Sequence, residues 1–333
     1  MESKEILPIL TLQQIKGTGR KSIDEILKIF ADFKPGSPSD LLDRLKEAHE
    51  INKKIKVPDN IQTVEKCWNK AKEILETSQE NSIKIISGKS PGYPKYLAKI
   101  PDPPALLHVK GNIDSLSQKN MIAVVGTRKP TQHGAESARK LGRVFAKEGF
   151  VVVSGLASGI DTQAHKGALD VNGTTIAVLA HGLHTVYPAE NKKLADEIIE
   201  KNGAIVSEYS WGKNSFRIYF VERDRIQSGL SLGIFVVETD IKGGTMHTVR
   251  FCKEQNRTLI VFKPTQEFTD HQKTEGNAKL ISDKSADIIF ENDDDLDLIR
   301  VKLNSTCKDL LTHEKNKDKP VIQEKLTLFS RNK

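Results

Sequence analysis

Two stretches decide the fold: Met121-Ile122-Ala123-Val124-Val125-Gly126-Thr127-Arg128-Lys129, and Phe150-Val151-Val152-Val153-Ser154-Gly155-Leu156-Ala157-Ser158-Gly159-Ile160-Asp161. In each, a short apolar run ends on a glycine-bearing loop, and a stretch long enough for a helix follows. Runs without polar alternation suit strands buried on both faces. Four more have the same texture: Thr174–Leu179, Ala204–Ser207, Gly233–Val237 and Thr258–Phe262. Most of the connections between them are long enough for a crossover helix. The expected architecture is α/β, a doubly wound and mostly parallel sheet. Right-handed crossovers gather the loops at the carboxyl ends of the strands along one edge, where such folds bind ligands.

Toward the N-terminus the texture changes. Ile23, Ile26, Leu27 and Phe30 recur at helical spacing, Lys34-Pro35-Gly36-Ser37-Pro38 is a break, and Asp40–His49 and Val64–Leu75 again read as helix. Residues 1–80 are therefore expected to form a small all-helical domain. Within it, Gly17-Thr18-Gly19 between two helical stretches resembles a helix–hairpin–helix, whose glycine turn presents backbone amides to a DNA phosphate. A plain helical hairpin reads the same way, and Lys16, Arg20 and Lys21 favour DNA. The turn-rich stretch Ser87–Pro104 reads as a linker or irregular lead-in to the α/β domain, assigned to 81–297. After Pro264 the chain turns polar, and 298–333 is expected to be a loosely ordered, charged tail.

The formal net charge of +7 is uneven. Residues 1–80 hold 14 basic and 14 acidic side chains, whereas 121–264 hold 19 and 14, so the excess lies with the strands. Positive charge placed there points to an anionic partner, nucleic acid before membrane, because no basic amphipathic helix is evident. No apolar run reaches the ~18 residues of a membrane span, and Met1–Pro8 lacks the apolar core of a secretory signal. Cys67, Cys252 and Cys307 are far apart, without a CxxC pair. A disulfide framework or zinc ribbon is not expected, and a cytoplasmic location is.

The strand-end loops carry the candidate chemistry. Gly126 allows close backbone approach, with Arg128 and Lys129 supplying positive charge beside it. The turn Ser154–Asp161, leading into a helix, offers backbone amides to an anion, and Asp161 is expected to cap that helix. Gly243-Gly244-Thr245 opens a further helix. Arg223 and Arg225 can grip phosphate or pair with Glu222 and Asp224. The glycines do not match the dinucleotide fingerprint GxGxxG, and no cofactor is implied. His165, His181 and His184 lack the carboxylate or cysteine company of a metal site, and none is expected.

Together these motifs resemble one family. In order they are Tyr93-Pro94, Asp102-Pro103-Pro104, Val125-Gly126-Thr127-Arg128, the run Ser154 to His165, Tyr187-Pro188, Ser207-Glu208, Arg223-Asp224-Arg225-Ile226 and Ser228-Gly229-Leu230-Ser231. The set is similar to the DNA-processing protein A (DprA, or Smf) family, over about residues 85–290. The resemblance implies an extended Rossmann-like fold, single-stranded DNA bound in a basic pocket, a homodimer, and loading of the recombinase RecA in natural transformation. It places the DNA pocket at Gly126, Thr127, Arg128, Lys129, Ser154, Gly155, Gly159 and Ile160, with Lys192 as a further lysine and Arg223 and Arg225 as candidates. Three departures stand out. Arg223-Asp224-Arg225 replaces the usual Arg-Asn-Arg, Gly243-Gly244-Thr245 replaces the frequent Ser-Gly-Ser, and the residues after Arg300 are too few for the winged-helix domain in which many members end.

Two other readings remain open. Phosphoribohydrolases that cleave nucleoside monophosphates resemble this chain around the glycine pair, but they place a catalytic Glu in the following helix, and Met246–Phe251 offers no acid. A binding protein, not an enzyme, is therefore expected. A module that senses a free nucleotide in the same pocket is the other alternative.

Overall fold

All six apolar runs form strands. The computed structural model describes residues 3–268 and 271–312. Four helices come first: α1 (Ser3–Gln14), α2 (Arg20–Ile29), α3 (Pro38–Ile51) and α4 (Ile61–Glu80). The Ser37 and Asn60 side chains cap α3 and α4 by accepting from Asp40 N and Thr63 N, and Pro38 opens α3 where its missing N–H costs nothing. Then follow β1 (Ile83–Ser87), β2 (Leu106–Gly111), β3 (Met121–Val125), α5 (Gln132–Lys147), β4 (Val151–Ser154), α6 (Ile160–Leu169) and β5 (Thr175–Leu179). The chain continues through α7 (Lys192–Glu200), β6 (Ala204–Ser207), α8 (Arg217–Leu230), β7 (Gly233–Val236), α9 (Thr245–Glu254), β8 (Thr258–Phe262), α10 (Glu275–Ser282), β9 (Ile288–Phe290) and α11 (Leu296–Thr312). Among the described residues, no helix is long and apolar enough to cross a membrane.

The strands form one sheet in the order β1-β2-β6-β5-β4-β3-β7-β8-β9. From β6 to β9 every pairing is parallel, and β1 and β2 add antiparallel at one edge. This is the extended, doubly wound α/β arrangement expected. Every residue of β3 is buried. Met121, Ala123 and Val125 join one core layer with Ile226, Leu230, Val249 and Leu280 of α8, α9 and α10. Ile122 and Val124 join the opposite layer with Leu141, Phe145 and Ala164 of α5 and α6. Burial on both faces is why these strands read as unbroken apolar runs.

The turn-rich stretch Ser87–Pro104 is irregular, as expected, apart from the single turn Leu97–Lys99. The strands β1 and β2 that flank it were not expected, and the core of the four helices runs onto their Ile85 and Leu106. One expectation is corrected. The expected loosely ordered tail from residue 298 instead begins as α11. Ile299 and Leu303 on this helix are fully buried against Phe235, Ile260 and Phe290, and Thr306 shares a 2.7 Å hydrogen bond with Thr258 of β8. Residues 313–333 of that expected tail lie outside the described residues.

Candidate functional site

The strand order reverses at β3. Its successors run outward to β4, β5 and β6 on one side, while β7 returns to its other flank. At the carboxyl ends of β3 and β7 the first crossovers diverge and leave a crevice, the usual ligand position in open α/β sheets. A cleft of about 520 Å³ lies there. The loop after β3, the start of α6, the first turns of α8, and the N-terminus of α9 wall it, and Lys273 reaches its rim.

The loop after β3 is held at both sides by backbone hydrogen bonds. Thr127 N donates to Glu238 O (2.7 Å), and Ile160 N donates to Thr127 O (3.2 Å). A Cβ on Gly126 would stand 2.6 Å from Ile160 Cγ1 and 2.8 Å from Glu238 O. The glycine is therefore required by its own protein neighbours, not by close approach to a ligand. Buried Glu238 accepts from Thr131 N (2.9 Å) and Thr131 Oγ1 (2.5 Å), while Thr131 Oγ1 in turn caps α5 at Gly134 N (2.9 Å). On this fixed base Arg128 and Lys129 are exposed. The Arg128 guanidinium lies over the Phe220 ring of α8, 5.1 Å from its centroid, and Tyr187 meets the same ring edge to face at 5.8 Å.

The second loop differs from its expected role. Asp161 does not cap α6: the N-cap position is Gly159, at φ +82°, a conformation that suits glycine. The buried Asp161 carboxylate instead accepts from Gly155 N (3.1 Å) and Ala157 N (3.4 Å). Amides expected to receive an external anion are thus occupied by a resident one. A Cβ on Gly155 would lie 1.5 Å from Arg223 Nη1, and one on Gly159 would lie 2.5 Å from Thr127 O. Ser154 is buried, its hydroxyl donating to Val124 O (2.7 Å), and Ile160 is fully buried. Both shape the loop from beneath and expose nothing to the cleft.

Arg223 and Asp224 form the cleft floor. Arg223 is buried, donates from Nη1 to Val178 O at the end of β5 (2.9 Å), and brings Nε within 3.1 Å of Asp224 Oδ1. Gln227, with its amide oxygen toward Gly155 N (2.7 Å), turns its nitrogen to Asp224 Oδ1 (3.1 Å). Burial pushes the Asp224 carboxyl up to about 7; Arg223 opposes the rise and the Asp161 charge adds to it. Burial likewise raises Asp161, against the pull of Arg223 and the two amides.

Arg225 does not reach the cleft. It is 1% exposed, donates to Glu208 Oε1 (2.6 Å), Asp102 O (3.1 Å) and Glu222 O (2.9 Å), and ties α8 to β6 and the lead-in segment. Its place in the expected DNA pocket is corrected for that reason. Arg20 of the helical hairpin joins the same network, 2.9 Å from Asp102 and 3.7 Å from Glu208, so this cation too has carboxylate partners. Lys192 is exposed at the start of α7, outside the cleft wall. The three histidines have separate duties. His165 pairs with Thr175 Oγ1 (2.7 Å), His181 with Gly182 O (2.9 Å), and His184 accepts from Gly212 N (3.2 Å). Among the described residues no cluster of three or more His, Cys, Asp or Glu side chains could hold a metal ion. Phe220, Glu238 and Lys273 were not singled out in the sequence, and Tyr187 entered only through the Tyr187-Pro188 motif. Phe220 had a usable signal, an aromatic three residues before Arg223 on one helix face.

Comparison with known proteins gives the family and the fold. The profile of the DNA recombination-mediator protein A family, which is the family resembled in sequence, matches residues 84–300. Protein Smf of Synechocystis is 38% identical over 223 residues, which are 66% of this chain and 55% of that protein. The chain thus spans about half the length of this curated relative. The structure of DNA processing protein A from Streptococcus pneumoniae superposes with a TM-score of 0.69 at 28% identity, over 86% of this chain and 95% of that one. DNA processing protein A from Helicobacter pylori, whose structure was described for its single-stranded DNA binding mode, gives a TM-score of 0.56 at 28% identity. It covers 68% of this chain and 96% of its own.

Proposed function

The chain belongs to the DNA recombination-mediator protein A family, and from that premise we propose that it binds single-stranded DNA in the cleft at the ends of β3 and β7. The observation that carries the reading is the Arg128–Phe220 pair, an exposed guanidinium seated on an aromatic ring at the mouth of the cleft. A single strand presents phosphates and unstacked bases side by side, and a cation beside an aromatic face meets both. Gly126 and Thr127 position Arg128 and Lys129 as phosphate ligands. Arg223, paired with Asp224, forms the floor below them, and Ser154, Gly155, Gly159 and Ile160 fix the loop that supports the site. Lys192 would touch DNA only where the strand leaves the cleft past Tyr187.

The role proposed is binding, not catalysis, because the helix after Gly243-Gly244 carries no acid over Met246–Phe251. A homodimer, RecA as partner in recombination or transformation, and protection of incoming DNA are proposed on family membership alone. A cleft of about 520 Å³ also suits a free nucleotide, and this is the second reading. Titration with single-stranded, duplex and mononucleotide ligands at two salt concentrations separates them. The DNA reading expects the single strand to bind tightest, with affinity falling steeply as salt rises. Mononucleotide binding that matches or exceeds that of an oligonucleotide would overturn it.

A further inference from the structure

The floor of the cleft has an unusual balance of charge. Asp161 and Asp224 are 6% and 8% exposed, and the single guanidinium between them, Arg223, is 6% exposed. When both acids are ionised, this buried trio carries a net negative charge directly below the place where the exposed Arg128 and Lys129 would hold a phosphate. Arg223 cannot swing up to compensate, because its Nη1 is bonded to Val178 O and packed over Gly155. The rim cations act through solvent and attract any phosphate. The floor acts through the protein interior, where charges are weakly screened.

We infer that Asp224 makes this cleft selective for the singly charged phosphodiester of a polynucleotide over the doubly charged phosphate of a free nucleotide. The inference rests on the DNA-binding reading of the cleft. Repulsion from a fixed carboxylate scales with the ligand's charge. An internal phosphodiester carries one negative charge, whereas a phosphomonoester, with its second pKa near ~6, carries almost two at neutral pH. The floor acid therefore penalises the mononucleotide more and leaves the strand as the favoured occupant.

The same charge makes the selectivity depend on pH. The charged groups facing Asp224 are Arg223 on its own helix, Asp161 from α6 and Arg128 from the loop after β3, and Thr248 from α9 and Gln227 from α8 hydrogen-bond to it. His247 stands exposed among the lining residues of the cleft. Because burial holds the Asp224 carboxyl near 7, acidification protonates it and neutralises the floor. The penalty on a dianion is then present above neutrality and lost below it, and binding of an anion draws a proton onto Asp224.

The test uses the full chain with a fluorescent oligothymidylate, displaced by thymidine 5′-phosphate or by its methyl ester, which differ by one negative charge. At about pH 8 the ester should compete roughly tenfold better. At about pH 6 the ratio should approach one, in part because the monoester itself is then about half monoanionic, so the comparison of wild type with Asp224→Asn at about pH 8 carries the assignment. In Asp224→Asn the ratio at about pH 8 should collapse to the low-pH value, while the melting temperature shows the variant folded. Asp224→Ser serves if the amide disturbs Arg223. A folded variant that keeps the wild-type ratio, or a wild type that prefers the doubly charged compound, overturns the inference while leaving the DNA reading intact. Failure of the oligothymidylate to bind, or binding indifferent to Arg128→Ala, sinks the DNA reading and the inference with it.

Discussion

Arg223 Nη1 occupies the space where Gly155 would carry a side chain: a Cβ there would lie 1.5 Å from the guanidinium nitrogen. The arginine is buried and bonded to Val178 O at 2.9 Å, so it cannot step aside without losing a partner inside the protein. Gly155→Ala should destabilise the fold by roughly 1–3 kcal/mol, the usual cost of overpacking a filled site. It should also weaken DNA binding by displacing the charge beneath the loop. Urea denaturation gives the first number and oligonucleotide titration the second; a variant as stable as wild type would show that the contact yields easily.

Arg128→Ala should weaken single-stranded DNA binding with little effect on folding. Its side chain is exposed and its contact with Phe220 is a cation–π pair at 5.1 Å, worth about 0.5–1 kcal/mol at an exposed site. Loss of a charged phosphate contact should cost roughly 1–3 kcal/mol of binding and reduce the log–log salt slope by about 0.7. Thermal melting and salt titration of the same preparation check both halves. An unchanged slope in a folded variant would place the binding loop elsewhere.

Asp224 should make the wild type less stable as pH rises toward neutrality. Its folded pKa is held near 7, above the value of about 3.9 in an unfolded chain. Between those values the folded state holds the extra proton, so its contribution is full below about pH 4 and is lost as pH climbs through 7. Asp224→Asn removes that loss. The difference in melting temperature, variant minus wild type, should therefore grow from about pH 5 to about pH 8. A difference that stays flat across this range would mean that Asp224 titrates as an ordinary exposed acid.

Ending the chain after Asp297 should cost several kcal/mol or prevent folding. Ile299 and Leu303 are 0% exposed, and removing two such side chains uncovers Phe235 and Ile260 of the sheet; each buried aliphatic residue is worth about 2–5 kcal/mol on truncation. Comparison of denaturation midpoints for the two lengths measures this. Equal midpoints would show that α11 only rests on the sheet.

How much of this the sequence disclosed follows from what each residue touches. The six central strands were legible because burial on both faces leaves Met121–Val125 without a polar residue and confines Ser154, Thr175, Ser207 and Thr258 to the ends of its counterparts. β1 and β2 were hidden: Lys84 and Lys110 interrupt them and the turn-rich Pro91–Pro104 lies between, so nothing local announces that they pair. β9 has three residues, too few for any period. Arg128 and Lys129 were placed rightly at a strand end facing the cleft. The glycines and Asp161 were legible as a loop, but their partners come from elsewhere in the chain. Only the fold reveals that Arg223 fills the space at Gly155, or that Asp161 takes the amides of Gly155 and Ala157. Arg223 and Arg225 are two residues apart on one helix and look equivalent as text. A turn of about 200° along the helix sends one to the cleft floor and the other to Glu208.

The antiparallel partnership of β2 with β6 has a consequence for synthesis. His108 pairs with Ser207 and Gly111 with Ala204, so the strand that anchors the helical unit waits for a partner roughly a hundred residues later in the chain. During translation α1 to α4 can gather around their own apolar side chains early. Their seat on the sheet edge cannot close until β6 has cleared the ribosome. For that interval Leu106 and Ile85 have helices on one side and no finished sheet on the other, and the nascent chain offers an unpaired strand edge to its surroundings. The order of emergence, and not only the final contacts, thus leaves the edge of β2 open until β6 is made.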